Sequence, residues 1–262
     1  MGYETLLFEV CEGVAEIALN RPDAANSIDR RLGRELMEVA IRCDEDPEIR
    51  SVLLTGAGKR FCAGGDLKAF AAYADELPGA MKELVVYLHA ASSHFARMDA
   101  PLVVAVNGVA AGAGMSLAIA GDLVLAAESA KFAMAYTAVG LSPDASSSYF
   151  LPRLIGLRRA QELMFTNRPL SAAEALEWGL VNRVVPDARL AVEARELARA
   201  LARGPTRAFG TVKALLNESF SGTLETQLER EARGIVAMGR SADGREGVRA
   251  FVEKRKPIFS GA

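Results

Sequence analysis

The sequence predicts an α/β fold with a largely parallel sheet, followed by a helical C-terminal region. Over the first 143 residues, short apolar runs of strand length alternate with segments of helical period, which is typical of parallel sheets. From residue 188 to residue 251 one helical segment follows another, with breaks at Gly204-Pro205 and Ser221-Gly222. The chain has 262 residues, 50% of them hydrophobic, which is enough to bury a sizeable core.

Each element has its own pattern. Two apolar runs over 5–10 and 14–19 predict a hairpin, because three residues separate them. Ser171 and Glu174 form the spacing of a capping box, which predicts a helix start. We also expect a short helix to begin at Asp144. The other predicted elements are strands over 51–55, 102–106, 123–126 and 181–185, and helices over 28–44, 80–98, 115–120 and 157–166.

Composition limits the possible partners. The 31 basic and 33 acidic residues nearly balance, so we expect neither nucleic acid nor a membrane surface as a partner. The three cysteines have no metal-ligand spacing, and the N-terminus lacks a signal-peptide pattern, which together predict a cytoplasmic protein. Residues 100–121 carry no charge and could span a bilayer. Their proline, asparagine and glycines instead favour a buried strand, a tight turn and a buried helix.

Two glycine-rich turns, over 63–66 and 112–114, each follow a predicted buried strand. Small residues at such turns let a ligand approach the backbone, and a pair of N–H groups there can hold an oxygen that becomes negative during a reaction. The alternative is that both are simple tight turns. A dinucleotide site is not expected, because no G-x-G-x-x-G follows a strand with an acidic residue about 20 positions later.

Several longer motifs carry a family resemblance. They are Leu19-Asn20-Arg21-Pro22, FCAGGDLK at 61–68, APLVVAVNGVAAGAG at 100–114, GDLVLAAESAKF at 121–132, GLSPD at 140–144 and SAAEALEWGLVNRVV at 171–185. In this order and spacing, the chain resembles the enoyl-CoA hydratase/isomerase (crotonase) superfamily over nearly its whole length.

The resemblance implies a crotonase-like spiral of ββα units over 1–195 and a helical oligomerisation region over 196–262. That region would build a homotrimer or a dimer of trimers. It implies a coenzyme A thioester as substrate, with no metal or redox cofactor. The oxyanion hole would be formed by the N–H groups of Gly65 and Ala113. Coenzyme A would lie along a set of residues near the first turn: Ala24, Ala63, Asp66, Leu67 and Lys68. Lys256 and Phe259 could reach a neighbour's coenzyme A, or could belong to a solvated helix end.

The chain departs from the hydratase pattern at two positions. Where the family's hydratases have glutamates, this sequence has Ser116 and Tyr136, whose hydroxyls are not bases near neutral pH. The carboxylate of Asp144 lies eight residues after Tyr136. In the acyl-CoA isomerase branch of the phenylacetate-pathway type, an acidic residue at this position moves protons. Asp144 could also simply cap a helix.

His89 and Asp144 also match an alternative branch, the aryl-CoA dehalogenases. There the aspartate attacks the ring and the histidine activates water. That branch's aromatic cage uses tryptophans, whereas the matching positions here are Leu88 and Tyr136, and Trp178 lies elsewhere.

The sequence therefore predicts an acyl-CoA isomerase that shifts a double bond through a thioester enolate, with Asp144 as acid and base and with Tyr136 at the acyl pocket. Two alternatives stay open. One is a dehalogenase or hydrolase that uses Asp144 and His89, and the other is a non-catalytic acyl-CoA-binding member of the family.

Overall fold

A computed structural model describes residues 2–262. Its strands are β1 (Leu6–Cys11), β2 (Val14–Leu19), β3 (Ser51–Gly56), β4 (Leu102–Val106), β5 (Val109–Ala111), β6 (Leu123–Ala127), β7 (Lys131–Ala133), β8 (Leu170–Ser171) and β9 (Arg183–Val185). Its helices are α1 (Arg30–Glu45), α2 (Leu67–Ala72), α3 (Leu77–Arg97), α4 (Ala113–Ile119), α5 (Ser147–Ile155), α6 (Leu157–Thr166), α7 (Ala172–Glu177), α8 (Asp187–Ala202), α9 (Thr206–Glu218), α10 (Leu224–Arg240) and α11 (Ala242–Val252).

The main sheet has six strands in the order β1-β2-β3-β4-β6-β9. The hairpin β1–β2 is antiparallel, and the other neighbours are parallel. Every residue of β4 is buried, as expected for a parallel strand covered on both faces. The α/β architecture and the C-terminal succession of helices are thus as predicted.

A second, small sheet has the order β5-β7-β8. None of its three strands was predicted from the sequence, and neither was α2. Each of these strands has three residues or fewer, which is too short for a period of two to appear.

The prediction that a helix begins at Asp144 is wrong. Helix α5 begins at Ser147, and its N-cap residue is Ser146. Ala145 and Ser146 both have left-handed backbone conformations, with φ of 47° and 72°. Because two left-handed residues separate Asp144 from α5, its carboxylate does not cap the helix.

Helix α8 packs across β2, β3, β4 and β6, so it belongs to the body of the fold. The predicted division at residue 195 falls inside this helix and stays a prediction. Within residues 2–262, no helix combines the length and the apolar character that crossing a membrane requires.

The parallel strands fix where a site can form. Since β3 and β4 are parallel and adjacent, the loops that follow Gly56 and Val106 leave the same edge of the sheet. In open α/β sheets, ligands bind at the carboxyl ends of the strands. The first glycine turn lies in the loop after β3, and the second follows β5, which begins three residues after the end of β4.

Candidate active site

The two glycine turns are joined by their backbones. The Cys62 N–H donates to the Val109 carbonyl at 3.0 Å, and the Cys62 carbonyl accepts from the Ala111 N–H at 2.9 Å. Gly64 has φ +96°, and a Cβ there would lie 2.8 Å from the Ala111 oxygen. A Cβ at Gly114 would lie 2.2 Å from the Cys62 oxygen. Glycine is therefore required where one turn crosses the other.

Gly65 and Ala113 present two backbone N–H groups from these turns. Within residues 2–262, neither N–H donates a hydrogen bond to an acceptor. For Ala113 the reason is its position as the first residue of α4, where a helix leaves its N–H groups without intrahelical partners. Its neighbour Gly112 has φ +51° and donates instead to the Ala133 carbonyl at 2.9 Å.

Gly65 and Ala113 line one cavity of about 480 Å³, which we call the acyl cavity. Its remaining wall is mainly apolar and comes from α2, α3 and the loop before α5: Leu67, Phe70, Met81, Leu84, Val85, Leu88, Ala135, Ala138, Val139 and Leu141. Tyr136 and Asp144 belong to the same wall. The cavity thus combines two free donors, one carboxylate and an apolar surface, which is the usual composition of a small-molecule site.

Asp144 ends a chain of hydroxyl hydrogen bonds. The Tyr136 hydroxyl donates to Asp144 Oδ1 at 2.5 Å, and the Ser116 Oγ lies 2.9 Å from the Tyr136 Oη. Ser116 is fully buried, and because the Tyr136 proton goes to Asp144, the single Ser116 hydroxyl proton is donated to Tyr136. The Gly112 carbonyl oxygen lies 3.4 Å from the same Ser116 Oγ. The chain therefore connects the carboxylate to the second glycine turn.

The phenol of Tyr136 stays protonated in this arrangement. Burial raises the pKa of Tyr136 well above its usual value, and the nearby Asp144 charge and their hydrogen bond raise it further. Tyr136 is therefore a hydrogen-bond donor and not a base near neutral pH.

The residues predicted to bind coenzyme A near the first turn lie close together. Ala24 ends a 3₁₀ helix, and the Ala63 N–H donates to the Ala25 carbonyl at 3.1 Å. Leu67 lines the acyl cavity and is 49% exposed, so it lies at the cavity opening. Lys68 follows it and is exposed.

Asp66 has a structural role that sequence reasoning missed. Its Oδ1 accepts the Ala69 N–H at 3.1 Å as the N-cap of α2, and its Oδ2 pairs with Arg21 at 3.0 Å. Burial by itself would raise the pKa of Asp66, but the Ala69 N–H and Arg21 outweigh it and hold that pKa below its usual value. This carboxylate fixes the loop that carries Gly65, because it ties the loop to the segment before α1.

Lys256 and Phe259 do not lie beside the first turn of their own chain. Phe259 packs against Gly247 of α11. Asp243 holds the tail that follows, because its carboxylate accepts the N–H groups of Ser260 and Gly261 at 2.7 and 2.8 Å. This tail lies near Arg50, which precedes β3, whereas the glycine turn follows the other end of β3.

His89 does not line the acyl cavity. It is an exposed residue of α3 whose Nε2 accepts the Ala145 N–H at 3.4 Å. Together with Asp144 it borders a second cavity.

Within residues 2–262, no group of three His, Cys, Asp or Glu side chains is arranged to hold a metal ion.

Sequence reasoning named only Leu88 among the α3 residues at the acyl cavity and missed the other three. Met81, Leu84, Val85 and Leu88 all face the acyl cavity. Their spacing of three and four residues places them on one face of the helix, and this pattern predicts that the face is buried. The pattern does not show whether protein or ligand covers the face.

The sequence model of the family described as "Enoyl-CoA hydratase/isomerase" matches residues 9–262 of the chain.

Three curated relatives are similar over most of their length. A 1,2-epoxyphenylacetyl-CoA isomerase from Escherichia coli K12 is 42% identical, with 98% of this chain and 99% of that protein covered. A "Probable enoyl-CoA hydratase" from Rhodobacter capsulatus is 41% identical over all of both chains. A 4-chlorobenzoyl coenzyme A dehalogenase-2 from Arthrobacter is 39% identical, with 87% and 83% covered. Among solved structures, an enoyl-CoA hydratase from Polaromonas sp. JS666 superimposes with a TM-score of 0.92 and 35% identity, covering 97% of this chain and 99% of the other.

Proposed function

Since the chain belongs to the enoyl-CoA hydratase/isomerase family and has its crotonase fold, we propose that it isomerises an unsaturated acyl-CoA. One observation carries the proposal. Two unbonded backbone N–H groups, at Gly65 and Ala113, and a single carboxylate, at Asp144, line the same apolar cavity.

In the proposed reaction the thioester carbonyl oxygen accepts hydrogen bonds from the Gly65 and Ala113 N–H groups. Asp144 removes a proton from a carbon α or γ to the carbonyl, and the C–H electron pair enters a conjugated dienolate. The two N–H groups stabilise the negative oxygen where charge develops. Protonated Asp144 then returns a proton to the other end of the conjugated system, so the double bond moves without net gain or loss of atoms.

Tyr136 and Ser116 hold the carboxylate in position. The Tyr136 hydroxyl donates to Asp144 Oδ1, and Ser116 orients that hydroxyl from behind. Because Tyr136 keeps its proton, it does not compete with Asp144 for the substrate proton. These two residues act through Asp144 in our account.

The same two residues argue against hydration by a pair of glutamates. The family resemblance aligns Ser116 and Tyr136 with the hydratase glutamates, and here their hydroxyls bond each other at 2.9 Å. Neither is a carboxylate that could activate water. Although several relatives carry hydratase names, this chain lacks the two acids of that mechanism.

The apolar wall of the acyl cavity supports an aliphatic or aromatic hydrocarbon group next to the thioester. The relative named 1,2-epoxyphenylacetyl-CoA isomerase makes acyl groups derived from phenylacetate the first to test. Aliphatic 3-enoyl-CoA thioesters of increasing length are the second series.

A dehalogenase is a second candidate, which one observation favours. His89 and Asp144 line the same second cavity, and there His89 could activate water against an aryl ester of that aspartate. The wall facing a bound aryl group would then contain Leu88 and Tyr136. This candidate predicts halide release from 4-chlorobenzoyl-CoA.

The test is a substrate panel with product analysis by liquid chromatography and mass spectrometry. Isomerisation predicts products of unchanged mass from 3-enoyl-CoA substrates, whereas hydration adds the mass of water to 2-enoyl-CoA. Release of chloride from 4-chlorobenzoyl-CoA would favour the second candidate. Acyl-CoA binding by calorimetry without turnover of any substrate would contradict both and favour a non-catalytic binder.

We also propose that the protein assembles as a homotrimer or a dimer of trimers through its C-terminal helices. None of the residues of α10 is buried. Large apolar side chains from α10 to the C-terminal tail are more than half exposed: Leu224, Leu228, Ile235, Val236, Val248, Phe251, Val252 and Ile258. So much apolar surface predicts a partner. In the assembly Lys256 and Phe259 could reach coenzyme A on a neighbouring subunit. Sedimentation equilibrium measures the mass directly, and a monomer would contradict the proposal.

A further inference from the structure

Asp144 lines two cavities. One is the acyl cavity, and the other has a volume of about 830 Å³. Within residues 2–262, Asp144 is the one residue that lines both. We call the second cavity the polar cleft. Its walls include His89, Ser92, Ser93 and Arg97 of α3 and Ala214 and Asn217 of α9.

The α3 wall of the polar cleft carries four polar side chains. An imidazole, two hydroxyls and a guanidinium follow at helical spacing, so they share one face. Ser92 is 6% exposed, and its hydroxyl has no hydrogen-bond partner within residues 2–262. Buried polar groups are almost always paired, by protein or by ordered water. A small rotation of the Ser92 side chain towards the cleft would give its hydroxyl such a water.

One oxygen of the Asp144 carboxylate is left for a partner outside the protein. Its Oδ1 accepts the Tyr136 hydroxyl, while within the described part of the chain no protein group bonds its Oδ2. An acyl group that fills the acyl cavity would cover Asp144 from one side. The polar cleft would then remain the open side, with His89 exposed at its edge.

We infer that the polar cleft is a water-filled route through which Asp144 exchanges its proton with solvent while substrate is bound. After Asp144 has taken the substrate proton, that proton passes to a water in the cleft, and the carboxylate takes another proton from the same water chain before it protonates the dienolate. Charge and atoms balance, because one proton leaves and one enters. This inference rests on the proposed isomerase function.

Turnover in heavy water tests the route. The wild-type protein is expected to convert 3-enoyl-CoA into product that carries deuterium at the newly protonated carbon. Ala214→Phe places a large side chain in the cleft from an exposed position. It should lower the deuterium content of the product severalfold while isomerisation continues, because the original proton is then returned. Val86→Phe, at a 58% exposed position of α3 that lines neither cavity, is the control and should match the wild type.

Unchanged deuterium content in Ala214→Phe, with isomerisation intact, would overturn the route and leave the isomerase function standing. A second measurement does not need turnover. Asp144 is coupled to a small amine with a water-soluble carbodiimide while a saturated acyl-CoA occupies the acyl cavity, and the modified peptide is quantified. Labelling in the wild type and protection in Ala214→Phe are expected. Full protection of the wild type by acyl-CoA would overturn the route even if no isomerase activity were found.

Discussion

Replacing Tyr136 by phenylalanine tests how the carboxylate is held. The change removes one hydroxyl, which donates to Asp144 at 2.5 Å and lies 2.9 Å from Ser116 Oγ. A hydrogen bond to a charged group contributes about 1.5–3 kcal/mol. If the transition state needs all of it, turnover falls about 10- to 100-fold, since 1.4 kcal/mol corresponds to a factor of ten.

The assay is steady-state isomerisation of 3-enoyl-CoA. The Tyr136→Phe variant should lower kcat and leave KM nearly unchanged, because the hydroxyl positions Asp144 and holds no part of coenzyme A. Ser116→Ala should lower kcat less, and the double variant should be no worse than Tyr136→Phe, because both residues act through one hydrogen-bond chain. Tyr87→Phe is the matched control, since the Tyr87 hydroxyl also donates to a carboxylate, that of Glu83, but lines neither cavity. Wild-type kcat in Tyr136→Phe would refute the reasoning.

Three further predictions follow from burial and close packing. The raised pKa of Tyr136 means that the unfolded state loses this proton first as pH rises above about 10. The free energy of unfolding should therefore fall in alkali by up to about 1.4 kcal/mol per pH unit because of this group. Urea titrations at a series of pH values measure this free energy, which should fall less steeply with pH in Tyr136→Phe. Iodoacetamide at neutral pH should label exposed Cys11 but neither Cys43 nor Cys62, because burial raises the pKa of both thiols to about 12; mass spectrometry measures this. Gly114→Ala should cost about 1–3 kcal/mol of unfolding free energy and lower turnover, because its Cβ would meet the Cys62 oxygen at 2.2 Å.

Each of these three predictions can be contradicted by a specific experimental result. Equal alkaline slopes in wild type and Tyr136→Phe would show that the phenol is not protected by burial. Rapid labelling of Cys62 in the native protein would show that the first turn opens. For Gly114→Ala the control is Gly79→Ala in α3, where a Cβ meets nothing within 4 Å and alanine should stabilise the helix by up to about 1 kcal/mol. Equal stability in the two glycine variants would contradict the packing argument.

The sequence was sufficient to locate the two glycine turns, because each comes after a continuous apolar run of strand length, at 51–55 or at 102–106. Parallel pairing of β3 and β4 then brings both turns to one edge of the sheet. The backbone bonds between Cys62 and β5 could not be predicted, since β5 has three residues and no periodic signal of its own.

The two interpretations of Asp144 could not be separated by sequence. A residue shortly before a helix is a good capping candidate whenever it is Asp. What excludes capping is the left-handed backbone of Ala145 and Ser146, which leaves no local signal in the sequence. The proton-transfer role of Asp144 stays a prediction. Residues held in such conformations cluster at functional sites.

Ion pairs between segments that are distant in the sequence could not be predicted either. Arg21 and Asp66 are 45 positions apart, and their ion pair depends on the main chain bringing the segment before α1 against the first turn. The family resemblance predicts only a coenzyme A contact for Asp66. That contact stays a prediction, and the structure adds the ion pair with Arg21.

The central claim is that Asp144 moves a proton beside a carbonyl held by two backbone N–H groups. The most direct test is Asp144→Asn, measured for isomerisation of 3-enoyl-CoA and for the infrared carbonyl band of a bound, isotopically labelled acyl-CoA. We expect turnover to fall about 10²- to 10⁴-fold, the range typical of a general acid–base group. The carbonyl band should still shift to lower frequency on binding, as in the wild type. Wild-type turnover in this variant, or a carbonyl band that binding does not shift in either protein, would contradict the account.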